Sequence, residues 1–158
     1  LSNLKPRLAR SGLSNVHPAR IEHERDTKIK RLSGKADRVL VDAPCSGLGT
    51  LRRNPDLKWR QDEASVAELT VKQAAILDAA STMVRPGGRL VYATCSVLTA
   101  ENDDIVAAFL ARHPDFTLLP AATILARQGI AFEGDMLRLL PNLHNTDGFF
   151  AAALERKA

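Results

Sequence analysis

Two short apolar runs, each leading into a turn that carries a cysteine, constrain this chain more than any other feature. Arg38-Val39-Leu40-Val41-Asp42 runs into Ala43-Pro44-Cys45-Ser46-Gly47-Leu48-Gly49, and Leu90-Val91-Tyr92-Ala93-Thr94 runs into Cys95-Ser96. Runs of this kind read as buried parallel strands that end in a loop. Between them Val66, Leu69, Ile76, Ala80 and Met83 recur at helical spacing, behind a Ser65-x-x-Glu68 capping-box pattern. A helix over 66–84 is long enough to be a right-handed crossover between neighbouring parallel strands. Cys45 and Cys95 then stand just past the carboxyl ends of adjacent strands, the edge where open α/β sheets bind ligands.

The rest of the chain is consistent with that α/β reading. Asn3 to Ser11 reads as a short helix stopped by Gly12, and Val16 to Glu22 as a weakly marked strand. His23 to Lys35 is a connection or a poor helix, and Thr50 to about Glu63 a long basic loop. Pro86-Gly87-Gly88 is expected to end the crossover helix sharply. Thr99 caps a further helix, with Glu101, Asp103 and Asp104 near its positive end and a stripe of Ile105, Val106, Phe109 and Leu110. Phe116 to Leu119 reads as a strand, and Met136 to Leu140 with Gly148 to Leu154 as an antiparallel ribbon.

Composition removes several classes. The 158 residues are 45% apolar and 25% charged, which is a globular and not a disordered balance. No run reaches the roughly 18 to 20 apolar residues of a membrane span. Two cysteines are too few for a disulfide scaffold or a structural zinc site, and the four histidines show no metal-ligand spacing. Residues 1–60 hold 14 Lys and Arg against 6 Asp and Glu, whereas 61–158 hold 8 against 12. A basic half of that kind suits a polyanion. Ser46-Gly47-Leu48-Gly49 lacks the endings of a phosphate loop or a dinucleotide fingerprint and reads as a tight turn.

The stretches VLVDAPCSGLGTLRRNPDLKWR (39–60), RPGGRLVYATCSVLTAEND (85–103) and TDGFFAA (146–152) closely resemble the Sun/Fmu family of RNA cytosine-5 methyltransferases. The resemblance implies a partial Rossmann-like class I methyltransferase fold. Its sheet would be mostly parallel with an antiparallel carboxyl-terminal strand and would lack the family's first two strands. It further implies S-adenosyl-L-methionine as cofactor, ribosomal RNA as partner, no membrane association and a cytoplasmic location. In this chemistry a thiolate adds to carbon 6 of cytosine and makes carbon 5 nucleophilic enough to take a methyl group. Loss of the carbon 5 proton and expulsion of the thiolate follow. The base must be unstacked to be reached.

By resemblance Cys95 is the nucleophile, and Cys45 assists breakdown of the adduct. The Pro-Cys nucleophile of DNA cytosine-5 methyltransferases points the other way, to Cys45. Asp42 is expected to read the cytosine edge, its carboxylate accepting from the amine; as a bland alternative it caps the following loop. Pro44 stiffens the loop presenting Cys45. Arg52, Arg53, Lys58 and Arg60 form an expected RNA-facing loop, in which Trp59 is read as packing beneath the loop before stacking on a base. Asp147 is expected at the cleft edge, with Phe149 and Phe150 as core.

The family's glycine-rich cofactor turn has no match in residues 1–37, so the chain is expected to be the carboxyl-terminal portion of one catalytic domain. Glu22, Glu24 and Asp26 are candidates for the acid that approaches the adenosyl group, beside Asp42 and Pro44. The segment before residue 36 is expected to be detached, rearranged, or paired with another chain across an exposed sheet edge. Rival readings are a transfer RNA or DNA methyltransferase, and an inactive RNA-binding or assembly module on the same fold.

Overall fold

The crossover predicted from the two cysteine-bearing runs is present. In the computed structural model, which describes residues 4–158, β1 (Ala36–Asp42) and β2 (Val84–Thr94) pair in parallel. Val39 lies opposite Leu90 and Val41 opposite Tyr92. The connection runs through α4 (Glu63–Ser81), preceded by the short helices α1 (Leu4–Ser11), α2 (Thr27–Lys30) and α3 (Leu57–Arg60). After β2 come α5 (Asp103–Arg112), β3 (Phe116–Leu119), α6 (Ala121–Ala126), β4 (Leu137–Leu139), α7 (Pro141–His144) and β5 (Phe149–Arg156). Of the helix read over Asn3 to Ser11, Asn3 lies outside the described residues.

The strand order is β1-β2-β5-β3, with β4 also pairing β5. β5 is antiparallel to β2, β3 and β4, so among the described residues four strands point one way and β5 alone runs against them. Alternation places Leu90 and Tyr92 of β2 and Phe150, Ala152 and Leu154 of β5 on one face, all fully buried. Leu77 of α4 and Val106 and Phe109 of α5 close over that face, and the Phe109 and Phe116 rings meet edge to face at 5.3 Å. The opposite face is covered more thinly by α6.

Several boundaries differ from expectation. The capping box of α4 starts three residues earlier than read. Asp62 is the cap, accepting from the Ser65 amide at 2.7 Å, while the Asp62 amide donates to Ser65 Oγ at 3.0 Å. Ser65 is thus the returning partner, because Asp62 offers a stronger acceptor to the same turn. The helix ends at Ser81 with Thr82 as its cap, and Pro86-Gly87-Gly88 forms an irregularity inside β2 and not a helix stop. Gly88 is required there, since a Cβ would lie 2.8 Å from the Arg85 carbonyl and 3.1 Å from that of Ala36. Thr99 opens a single 3-10 turn, and Asn102 precedes α5.

Val16 to Glu22 forms no strand: it pairs with none of the described strands, Pro18 lacks an amide, and Val16 and Ile21 are exposed. β1 is correspondingly an edge strand and not buried on both sides. Val39 and Val41 pack inward, but Leu40 is 70% exposed. Among the described residues, no helix is long and apolar enough to cross a membrane.

Candidate functional site

Both cysteines emerge where the parallel pair ends. Ala43 still donates to the Ala93 carbonyl, at 2.9 Å, and the two chains then turn out of the sheet side by side. Cys45 Sγ and Cys95 Sγ lie 3.4 Å apart, both thiols free and half-buried. Burial pushes the Cys45 thiol up to about 12, with its hydrogen bond to Cys95 acting in the same direction. Cys45 therefore keeps its proton at neutral pH beside the second sulfur.

Glycine lets the surrounding loops approach closely. The Gly49 amide donates to the Cys95 carbonyl at 2.9 Å, and the Gly148 amide donates to the Gly49 carbonyl at 2.7 Å. A Cβ on Gly49 would run into the Gly148 oxygen and stand 2.6 Å from that of Cys95. Gly47 holds φ at +73°, which begins the 3-10 turn Leu48–Thr50.

Beneath the thiols lies a buried polar cluster that periodicity did not reveal. Glu101, read from sequence as a helix-terminal charge, is fully buried. Its Oε1 accepts from the Ser46 amide at 2.8 Å and from Gln73 Nε2 at 3.0 Å. Its Oε2 accepts from the Ser46 hydroxyl at 2.6 Å and from the Ser96 hydroxyl. Gln73 also donates to the Pro44 carbonyl at 2.9 Å. Asn102 donates to the Ser96 carbonyl at 3.0 Å and accepts from Thr94 Oγ1 at 2.6 Å, while Tyr92 Oη donates to the Glu101 carbonyl at 2.7 Å. The one available signal was the acid's position six residues after Cys95, on the turn that returns to the sheet.

Asp42, at the last position of β1, is exposed, and no side-chain hydrogen bond engages it among the described residues. The loop-capping alternative for Asp42 is therefore not realised. It lines a cavity of about 570 Å³ with Val39, Leu40, Glu22, Glu24 and Lys72. Glu24 thus shares a cavity with Asp42, whereas Asp26 does not line it. The Asp26 carboxylate caps α2, accepting from the Lys28 amide at 2.9 Å and the Glu22 amide at 3.3 Å, and the Lys28 amide holds it below the usual carboxylate range. Pro44 is exposed on the cysteine loop.

The basic loop is ordered by acids. Arg53 Nε lies 2.6 Å from Asp147 Oδ2, and Arg52 Nε 3.4 Å from Oδ1, close enough to attract but not aligned to hydrogen-bond. Arg60 pairs with Asp56 at 2.7 Å. Trp59, expected to pack beneath the loop, is 80% exposed, with Lys58 Nζ 4.6 Å from its ring centroid. α3 is only four residues long, which leaves no second layer to cover an indole. Phe150 is core as expected, and Phe149 is half-buried. Among the described residues no His, Cys, Asp and Glu group could hold a metal.

The chain is similar to known proteins in both sequence and fold. The family described as 16S rRNA methyltransferase RsmB/F matches residues 1–155. "Ribosomal RNA small subunit methyltransferase B" of Citrobacter koseri is 46% identical over 123 residues, covering 78% of this chain and 27% of that protein. The chain spans about a quarter of the length of the curated relatives it matches, 27% of the first of them. Among solved structures, "Crystal Structure of PH0851" aligns with TM-score 0.86 and 37% identity over 98% of this chain and 34% of that one. "The crystal structure of NSun6 from Pyrococcus horikoshii with SFG" aligns with TM-score 0.80 and 28% identity over 99% and 38%.

Proposed function

The chain belongs to the 16S rRNA methyltransferase RsmB/F family, and from that membership we propose that it is the carboxyl-terminal portion of a catalytic domain that methylates carbon 5 of cytosine in ribosomal RNA. The observation that carries the reading is the 3.4 Å approach of two free thiols at the carboxyl ends of adjacent parallel strands. A pair of thiols suits covalent activation of a cytosine: one adds to carbon 6, and the other serves the reverse step.

Cys95 is assigned the addition and Cys45 the release. Burial favours the protonated form of the Cys45 thiol, which lies 3.4 Å from the Cys95 sulfur. The same proton is well placed to hydrogen-bond the Cys95 sulfur as it leaves carbon 6 and regains negative charge. Asp42 is open at the end of β1 and suits reading of the cytosine amine, a donor that a carboxylate accepts. Arg52, Arg53, Lys58 and Arg60 are assigned to backbone phosphates, which position RNA without reading its sequence.

S-adenosylmethionine supplies the methyl group when bound; one structural relative was solved with SFG, an analogue of it. The cavity beside β1 fits one wall of an adenosyl group. Val39 offers apolar contact, and Glu24 and Asp42 offer carboxylates to hydroxyl and amino donors, with Pro44 on the adjoining loop. Asp26 is assigned to holding that wall through its cap and not to direct contact. The edge of β1 also offers a surface for self-association, and the cytoplasm is the proposed location.

The test uses the parent protein, methyl-labelled S-adenosylmethionine and a panel of RNAs, followed by digestion and nucleoside chromatography. Label in 5-methylcytidine from small-subunit ribosomal RNA is expected. Label confined to another nucleoside, or none with any RNA, overturns the assignment.

A further inference from the structure

Glu101 takes part in none of the chemistry above, yet it is a fully buried carboxylate directly beneath it. All its partners are neutral donors: a backbone amide, a carboxamide and two hydroxyls. Removing such a group from water is costly, and only several well-aligned donors offset that cost. The donors are not randomly distributed. Ser46 follows Cys45 and Ser96 follows Cys95, and both hydroxyls meet on the same oxygen, Oε2, with 3.3 Å between them. The other oxygen binds the Ser46 amide and Gln73, which itself holds the Pro44 carbonyl on the far side of Cys45.

We propose that Glu101 is the positioning residue that sets the spacing of the two thiols, clamping the Cys45 loop and the Cys95 loop onto a single carboxylate. The backbone bond from Gly49 to Cys95 joins the loops four residues beyond Cys45, and Glu101 joins them at the residues adjoining the sulfurs. Two hydroxyls converging on one oxygen fix a distance, because neither can move outward without losing its acceptor. A short, strong acceptor set of this kind is how a supporting layer keeps reacting groups within a fraction of an ångström. Gln73 completes the clamp from α4, so the long crossover helix also reports to the thiol pair.

The inference deepens the reading of the thiols as a working pair, and its test uses neither RNA nor S-adenosylmethionine. Phenylarsine oxide condenses with two thiols, forming two arsenic–sulfur bonds and releasing water, and its affinity depends on how far apart the sulfurs are held. Titration of this chain with phenylarsine oxide, against a competing small dithiol, reads that spacing.

Glu101→Ala is expected to weaken chelation by about tenfold to a hundredfold, the usual consequence of misplacing a reacting pair by an ångström. Glu101→Gln keeps an oxygen for the two amides and turns its NH2 group towards the two serine hydroxyls, which can accept as well as donate, so it is expected to restore most of the affinity. Ile105→Val, which loosens the adjacent core without touching the clamp, should leave chelation unchanged. Wild-type affinity in a folded Glu101→Ala chain overturns the proposal, as does an equal loss in Ile105→Val. If Glu101→Ala does not fold, the Ser46→Ala/Ser96→Ala chain decides: weakened chelation supports the clamp, and unchanged chelation rejects it. Methyl transfer absent from the parent with chelation intact would fault the enzymatic reading alone.

Discussion

The amide of Gly49 donates to the carbonyl of Cys95 at 2.9 Å, so the loop after β1 rests directly on the loop after β2. No side chain fits in that contact. Gly49→Ala is expected to cost about 2 kcal/mol or more, as overpacking against backbone does. Thermal unfolding should then fall by roughly 4 to 8 °C for a domain of this size. An unchanged midpoint would show that the loops are not pressed together.

The roles proposed for the two thiols can be separated. In the parent protein Cys95→Ala is expected to abolish methyl transfer and leave no covalent RNA complex. Cys45→Ala should instead accumulate a complex that survives denaturing electrophoresis. A stable complex with Cys95→Ala and none with Cys45→Ala would exchange the assignments.

The raised Cys45 value has a sign. A thiol that ionises near 9 when unfolded and near 12 when folded binds its proton more tightly in the native state. Its contribution to stability is therefore unaffected well below pH 9 and falls as pH rises through 9 towards 12. Iodoacetamide labelling of Cys45, followed by peptide mass spectrometry, should stay slow through pH 9 and climb only above it. A midpoint near 9 would place Cys45 in water.

Trp59 is the sole tryptophan, which makes its fluorescence a clean reporter. With the ring exposed beside Lys58, single-stranded RNA is expected to quench it, and added salt to reverse the quenching. Trp59→Ala should weaken binding by a few-fold to about a hundredfold, the range of one stacked base. RNA binding detected by another method with no change in emission would remove Trp59 from the interface.

Leu40 projects from the edge strand β1 and is 70% exposed. Sedimentation of this chain is expected to show concentration-dependent self-association, which Leu40→Lys suppresses. Identical sedimentation of the two chains would leave the edge without a partner role.

The meeting of Cys45 with Cys95 was legible because it needs only local information: two strand-length apolar runs and a crossover helix of one hand. Glu101 was not legible. An acid near a helix start satisfies a simpler rule, attraction to the helix dipole, and nothing local says that it turns inward. Its burial is decided by Ser46, 55 residues away, and Gln73, 28 residues away. Residues 16–22 form no strand although β1 leaves an edge free, because Pro18 has no amide to give and the segment buries none of its side chains. Trp59 reads as core by residue type alone, and only the four-residue length of α3 shows that nothing covers it.

β5 is the last strand in the sequence and lies between β2 and β3 in the sheet. A ribosome that has released residues 36–119 has therefore delivered both flanks and not the middle. Until Phe149–Arg156 emerge, Leu90 and Tyr92 have no strand to pair with on that side. Synthesis and sheet closure are thus separated in time, and the nascent thiol loops wait for the residue just before β5, Gly148, to settle on Gly49.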